Sequence, residues 1–249
     1  MEGSDSNVFA YDSFIRVNPR KKRKRKDKGN ATTPCDLLIR VTEELKTDRG
    51  GWFLCCEEIC REALDEARMA PRKVLCLGLG SPSSSRDARA QLALLSCLCA
   101  SLGIVSADVS MYDPVFTDAD RQLFQTLGMR YLDHNQGTEH SLNCPTILYM
   151  PHCDLRVYEQ VIRANWTLEG LCNIVFLANR FRDYVDHNAV SKLEKESPCM
   201  LKLEPFVESR PIPTSSAFPS AFTSLAVQYV SRTPLSLQGD AFWELPLLD

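Results

Sequence analysis

The chain has 249 residues and a net charge of −3, with 29 Lys or Arg against 32 Asp or Glu. At 44% hydrophobic residues it can bury a core, which excludes a wholly disordered chain, and the charge total does not mark a nucleic-acid binder. No apolar run reaches the roughly 18 residues of a membrane helix, so no membrane contact is expected. Met1–Ala10 lacks the apolar core of a signal peptide, so secretion is not expected either. The eleven cysteines therefore read as reduced, mostly buried thiols, with Cys76, Cys97, Cys99 and Cys172 on apolar segments.

Charge is unevenly spread. Arg20 to Lys28 reads RKKRKRKDK and carries +7, so with a total of −3 the remainder carries −10. Such a run repels itself and is expected to be disordered. Residues 1–33 read as a disordered basic tail that favours nuclear import alongside a cytoplasmic population. The acidic remainder argues against a strong nucleic-acid surface outside that tail.

Thr32-Thr33-Pro34 is a helix-start signal. Leu37, Leu38, Val41 and Leu45 follow at helical spacing, and Gly50-Gly51 interrupts them. Phe53, Cys56, Cys60, Ala63 and Ala67 give a second helix closed by Pro71. Lys73 to Leu79 is a short apolar strand ending in glycines. A helix then shows Ala88, Leu92, Leu95, Cys99 and Leu102 on one face, and a strand over 104–112 follows. The alternation continues with a helix at 118–127, a strand at 129–132, a polar loop at 133–144, a strand at 146–150, a helix at 155–166 and a strand at 173–177. Later segments read as a strand at 201–206, a loop at 208–220 and a helix or strand at 221–230. This pattern predicts an α/β fold, a Rossmann-like three-layer sandwich with a mostly parallel sheet in the order 3-2-1-4-5. The domain spans 34–231, and 232–249 reads as a C-terminal tail.

Ligands in open parallel sheets bind beyond the carboxyl ends of the strands. That rule selects Gly78, Gly80, Ser81, Asp113, His152 and Asn179 as cofactor-binding candidates. The glycines permit a tight turn and offer backbone N–H groups to an anion. Asp113 is suited to accept from ribose hydroxyls. The third glycine of G-x-G-x-x-G is replaced by Ser83, and Asp113 lies 35 residues beyond Gly78. His152-Cys153-Asp154 has acid–base character, although neighbouring side chains diverge. Cys144-Pro145 is a pattern that some proteins use to hold haem through a thiolate. No metal site, nucleophile elbow or P-loop is found, and the catalytic residues and cofactor stay open.

The segments VLCLGLGSPSSSRDARAQLALL, YDPVFTDADRQLFQTLG, CPTILYMPHCDLRVYEQVIRANW and NIVFLANRF resemble the sensitivity-to-red-light-reduced (SRR-like) domain proteins of plants, fungi and animals. The resemblance runs from Lys73 to Phe181 and more weakly to Val230. Tyr112-Asp113-Pro114 and Met150-Pro151-His152-Cys153 are its most specific parts, and Ala178-Asn179-Arg180 departs from a Gly-Asn-Ser pattern. It implies a regulatory protein, acting through protein partners, in circadian gene expression and haem biosynthesis. It supplies no established reaction, cofactor or catalytic residue. Two other readings stand beside it: a nucleotide- or S-adenosylmethionine-dependent enzyme with a small ligand at the sheet edge, and a haem sensor.

Overall fold

The structure is a computed structural model and describes residues 32–48, 50–134 and 141–247. The basic run at 20–28, nearly all of the 1–33 segment and the middle of the polar loop lie outside the described residues.

Two helices come first, α1 (Pro34–Lys46) and α2 (Trp52–Glu66). Thr33 and Asp36 form a reciprocal capping box at the start of α1, which satisfies two backbone donors that a helix end leaves orphaned. The sheet then begins with β1 (Lys73–Leu77), followed by α3 (Arg86–Ser101), β2 (Val109–Tyr112), α4 (Asp118–Thr126), β3 (Arg130–Tyr131) and β4 (Thr146–Met150). Next come α5 (Leu155–Ala164), α6 (Leu168–Cys172), β5 (Ile174–Asn179), α7 (Phe181–His187), α8 (Val190–Glu196) and α9 (Pro198–Leu203). The last elements are β6 (Val207–Pro211), β7 (Leu225–Val230), α10 (Arg232–Ser236) and α11 (Asp240–Trp243).

These strands form a seven-stranded sheet in the order β3-β2-β1-β4-β5-β7-β6. The expected 3-2-1-4-5 order is its parallel part, and β7 and β6 extend it antiparallel. Successive strand residues point to opposite faces, so each strand feeds two cores. Val74, Cys76, Met111, Tyr149 and Leu177 pack towards α1, α2, α3 and α4. Leu75, Leu77, Leu148, Phe176 and Ala178 pack towards α5 to α9. Burial on both faces is why β4 and β5 read as unbroken apolar runs.

The helix α3 is buried almost all round rather than on one face, because α1 packs over it on the side away from the sheet. The buried Gln91 is paired at both its side chain and its backbone carbonyl. Gln91 Nε2 donates to Ala221 O at 2.8 Å, and Gln91 O accepts from Tyr149 Oη at 2.9 Å.

Five expectations are corrected. The strand expected at 104–112 is shorter, because Ser106–Asp108 makes a 3-10 turn before Val109. The segment 201–206 is the end of α9 and a turn, not a strand. Pro198 starts α9, and the buried carboxylate of Glu159 accepts from Cys199 N–H at 3.2 Å and Met200 N–H at 3.0 Å. Those long-range bonds override the strand-like local pattern. The loop expected at 208–220 begins with most of β6, whose Arg210 pairs with Glu62 at 2.7 Å and with Glu66 on α2. Cys172 is half-buried, at the end of α6, rather than buried. The segment read as a C-terminal tail carries α10 and α11, and Phe242 stacks on Trp166 with ring centres 5.3 Å apart.

All eleven cysteines are free thiols. Cys76, Cys97 and Cys99 are buried as expected, and burial raises all three, Cys99 to about 12 and Cys76 well above its ordinary value. The thiolate is the reactive form. In the native protein, therefore, the exposed Cys55 reacts first with iodoacetamide, while Cys76 and Cys99 react only on unfolding. Site-resolved mass spectrometry checks this, and native labelling of Cys76 at the rate of Cys55 would contradict it.

Candidate functional site

Because β1, β2, β4 and β5 run parallel, their carboxyl ends share one edge of the sheet. The six residues selected from the sequence lie along that edge and fall into two bonded groups.

The first group surrounds the loop after β1. Gly78 and Gly80 have φ of +67° and +74°, the left-handed region that favours glycine. Gly80 N–H donates to Asp113 Oδ2 at 2.8 Å, and Asp113 Oδ1 accepts from Val115 N–H at 3.0 Å. The N–H expected to face an anion is thus taken by the chain's own carboxylate. Ser81 Oγ points to another carboxylate, donating to Asp120 Oδ2 at 2.7 Å, and Ser83 N–H donates to Asp120 Oδ1 at 2.7 Å. Asp120 is fully buried and also accepts from Thr117 N–H and Oγ1, closing the capping box of α4. Burial pushes its pKa up, but the hydrogen bonds from Thr117, Ser81 and Ser83 outweigh it and leave the carboxyl below its ordinary 3.8. Behind the loop, the Arg89 guanidinium donates to Pro82 O at 2.9 Å and Ser83 O at 3.1 Å.

Asp120 was not singled out from the sequence. Its signal is local: Thr117-x-x-Asp120 has capping-box spacing. That spacing marks a helix start and says nothing of the loop 37 residues away that the same carboxylate holds.

The second group joins β4 to β5. His152 has φ of +60°, unusual for a residue with a side chain, and its N–H donates to Asn179 Oδ1 at 2.7 Å. Asn179 Nδ2 donates to Thr223 O at 3.3 Å, and Asn179 O accepts from Gln228 Nε2 at 3.1 Å. Asn179 is buried and the His152 side chain is exposed.

Cys153 connects the groups. A Cβ placed on Gly78 falls 2.4 Å from Cys153 Sγ, so the two loops meet where only glycine fits. The thiol donates to Leu77 O at 3.2 Å. Burial, with smaller contributions from Asp113 and Asp154, pushes it up to about 12. A thiol so raised is a packing group and a hydrogen-bond donor, not a nucleophile near neutral pH. Asp113, Asp120 and Asn179 each hydrogen-bond to other loops of the chain. Among the described residues, no group of three or more His, Cys, Asp or Glu is placed to hold a metal. Cys144 is half-buried near the amino ends of the strands, away from this edge.

A family model for the SRR1 domain matches residues 43–229, a stretch that contains every residue of both groups. The chain belongs to the SRR1 domain family. It is 28% identical over 132 residues to an SRR1-like protein of Mus musculus, covering 53% of each chain. It is 29% identical over 140 residues to an SRR1-like protein of Drosophila melanogaster, covering 56% of this chain and 49% of the other. The Arabidopsis thaliana protein Sensitivity to Red Light Reduced 1 is 27% identical over 112 residues, covering 45% of this chain and 41% of its own. The matched stretch spans about half the length of these relatives.

Two predictions follow from the loop contacts. Gly78→Ala is strained by its positive φ and also drives a methyl into Cys153, and together these cost about 3 kcal/mol. Gly103 has a similar φ of +71° but nothing within 4 Å of an added Cβ. Gly103→Ala therefore costs about 1 kcal/mol. Urea unfolding of both variants compares them, and equal losses would remove the loop contact from the explanation. Asp120→Asn loses about 2 kcal/mol at pH 7, since a buried, charged acceptor of several donors is replaced. The folded carboxyl is held below 3.8, so its stabilisation is full above that value and is lost as pH falls through the carboxylate range. The urea midpoint of the parent protein should therefore fall more steeply on acidification than that of Asp120→Asn.

Proposed function

We propose that this chain is a regulatory protein of light and clock signalling. It works through protein partners rather than by catalysis, on a Rossmann-like three-layer domain. Membership of the family, and the printed name of the Arabidopsis relative, support the light and clock reading. The observation that carries the non-catalytic part is the state of the β1 loop. Asp113 and Asp120 occupy the very N–H and hydroxyl groups that a phosphate would take in a nucleotide site. Two packed faces and the 3-2-1-4-5 run of strands favour the three-layer description. Control of circadian gene expression and of haem biosynthesis are the finer parts of the proposal. Residence in both cytoplasm and nucleus, with the basic run at 20–28 promoting import, belongs to it as well.

A nucleotide- or S-adenosylmethionine-dependent enzyme is the second reading. It is favoured by one feature: the strand order reverses between β1 and β4, and Gly78 and Gly80 lie at that switch point.

Cells lacking the chain should lose amplitude in light- or clock-driven transcripts. Re-expression of the parent protein and of His152→Ala should restore the rhythm, because the His152 side chain is exposed and its structural bond runs through the backbone. Re-expression of Gly78→Val, which breaks the loop contact, should not. Unaltered rhythms in the deletion line would sink the regulatory reading. Loss of rescue by a folded His152→Ala would turn the argument towards chemistry at that edge.

A further inference from the structure

The opposite, amino-terminal end of the sheet is built differently. On the face that α5 to α9 cover over β4 and β5, the register aligns Leu75, Ser110 and Arg130 across β1, β2 and β3, with Lys73 beside Thr146 one row nearer the amino end. The connection from β3 to β4 passes here, and no helix is found among its described residues, 132–134 and 141–145. Parallel sheets ordinarily have both faces covered. Lined by described residues of β1, β2, β3 and β4 and of this connection, a hollow of about 410 Å³ lies here, within the range of small-molecule sites.

Its walls have two characters. Leu75, Leu132 and Leu142 give it an apolar side. Lys73 and Arg130 flank it, and among the described residues neither is in an ion pair. Asp108 and Ser110, also lining it, have no side-chain partner among the described residues. The carboxyl edge shows the contrast, since Asp113 and Asp120 there accept from the loop after β1.

We infer that this hollow is a binding site for a small organic phosphate. Lys73 and Arg130 hold the phosphate, a guanidinium and an ammonium being the side chains best suited to its oxygens. Asp108 accepts from a hydroxyl or amine of the ligand, Ser110 completes the polar side, and the leucines pack on its carbon skeleton. The site is separate from the residues at the carboxyl edge and from the regulatory reading itself.

Cys144 lines the hollow and reports on its occupancy. Ribose 5-phosphate is the probe, added to the full chain, with alkylation of each cysteine followed by mass spectrometry. Cys55, exposed on α2 at the other face, is the internal reference. At about ten times a millimolar dissociation constant, Cys144 alkylation should slow about tenfold while Cys55 is unchanged. The double variant Lys73→Ala, Arg130→Ala should keep its urea midpoint, since both side chains are exposed, and should lose the protection. Three outcomes would each overturn the inference: no protection at ~10 mM ribose 5-phosphate, protection that persists in the double variant, or equal protection by inorganic phosphate alone.

Discussion

Asp120 is the carboxylate on which the carboxyl edge depends. It is buried, it starts α4, and it holds Ser81 and Ser83 of the loop after β1. A charge without solvent is tolerated only when its lone pairs are met by donors, and here they are met several times over. The loop in turn fixes Gly80 on Asp113, and Gly78 against Cys153. One buried anion therefore sets where three strand ends sit relative to one another.

That arrangement changes what a glycine-rich turn means. In nucleotide sites the turn leaves N–H groups open, and an incoming phosphate satisfies them. Here the chain supplies its own anions. A ligand phosphate would have to displace Asp113 from Gly80, leaving two negative groups close together. The turn thus works as an internal knot.

The parts of this structure that local pattern controls were legible in the sequence. The apolar runs of β1, β4 and β5 and the periodic faces of α1, α2 and α5 specify both element type and the parallel order, because each follows from burial. Distant bonds decided the rest. Leu201 to Phe206 has a strand-like composition, yet Glu159, some forty residues earlier, takes the first N–H groups of α9 and holds it helical. Pairing with β7 over Val207–Pro211 makes β6 part of the sheet edge, and Arg210 reaches from it to Glu62 and Glu66. The candidate site followed the same division. Topology placed Gly78, Asp113, His152 and Asn179 at one edge. The bonds that order the edge pair Ser81 with Asp120, Cys153 with Leu77 and Asn179 with Thr223, and spacing alone does not pair residues so far apart.

The two ends of the sheet therefore divide their labour by how polar groups are used. At the carboxyl end, backbone donors and carboxylates are matched within the chain, and apolar close packing of Gly78 on Cys153 leaves little freedom. At the amino end, Lys73, Asp108 and Arg130 line a hollow, and among the described residues none of them is in an ion pair. The parallel core between them, β1 and β4, is bonded to both ends in one register, Lys73 opposite Thr146 and Cys76 opposite Tyr149. A shift of β1 by one residue would move every side chain to the wrong face, so both ends are held to the same frame.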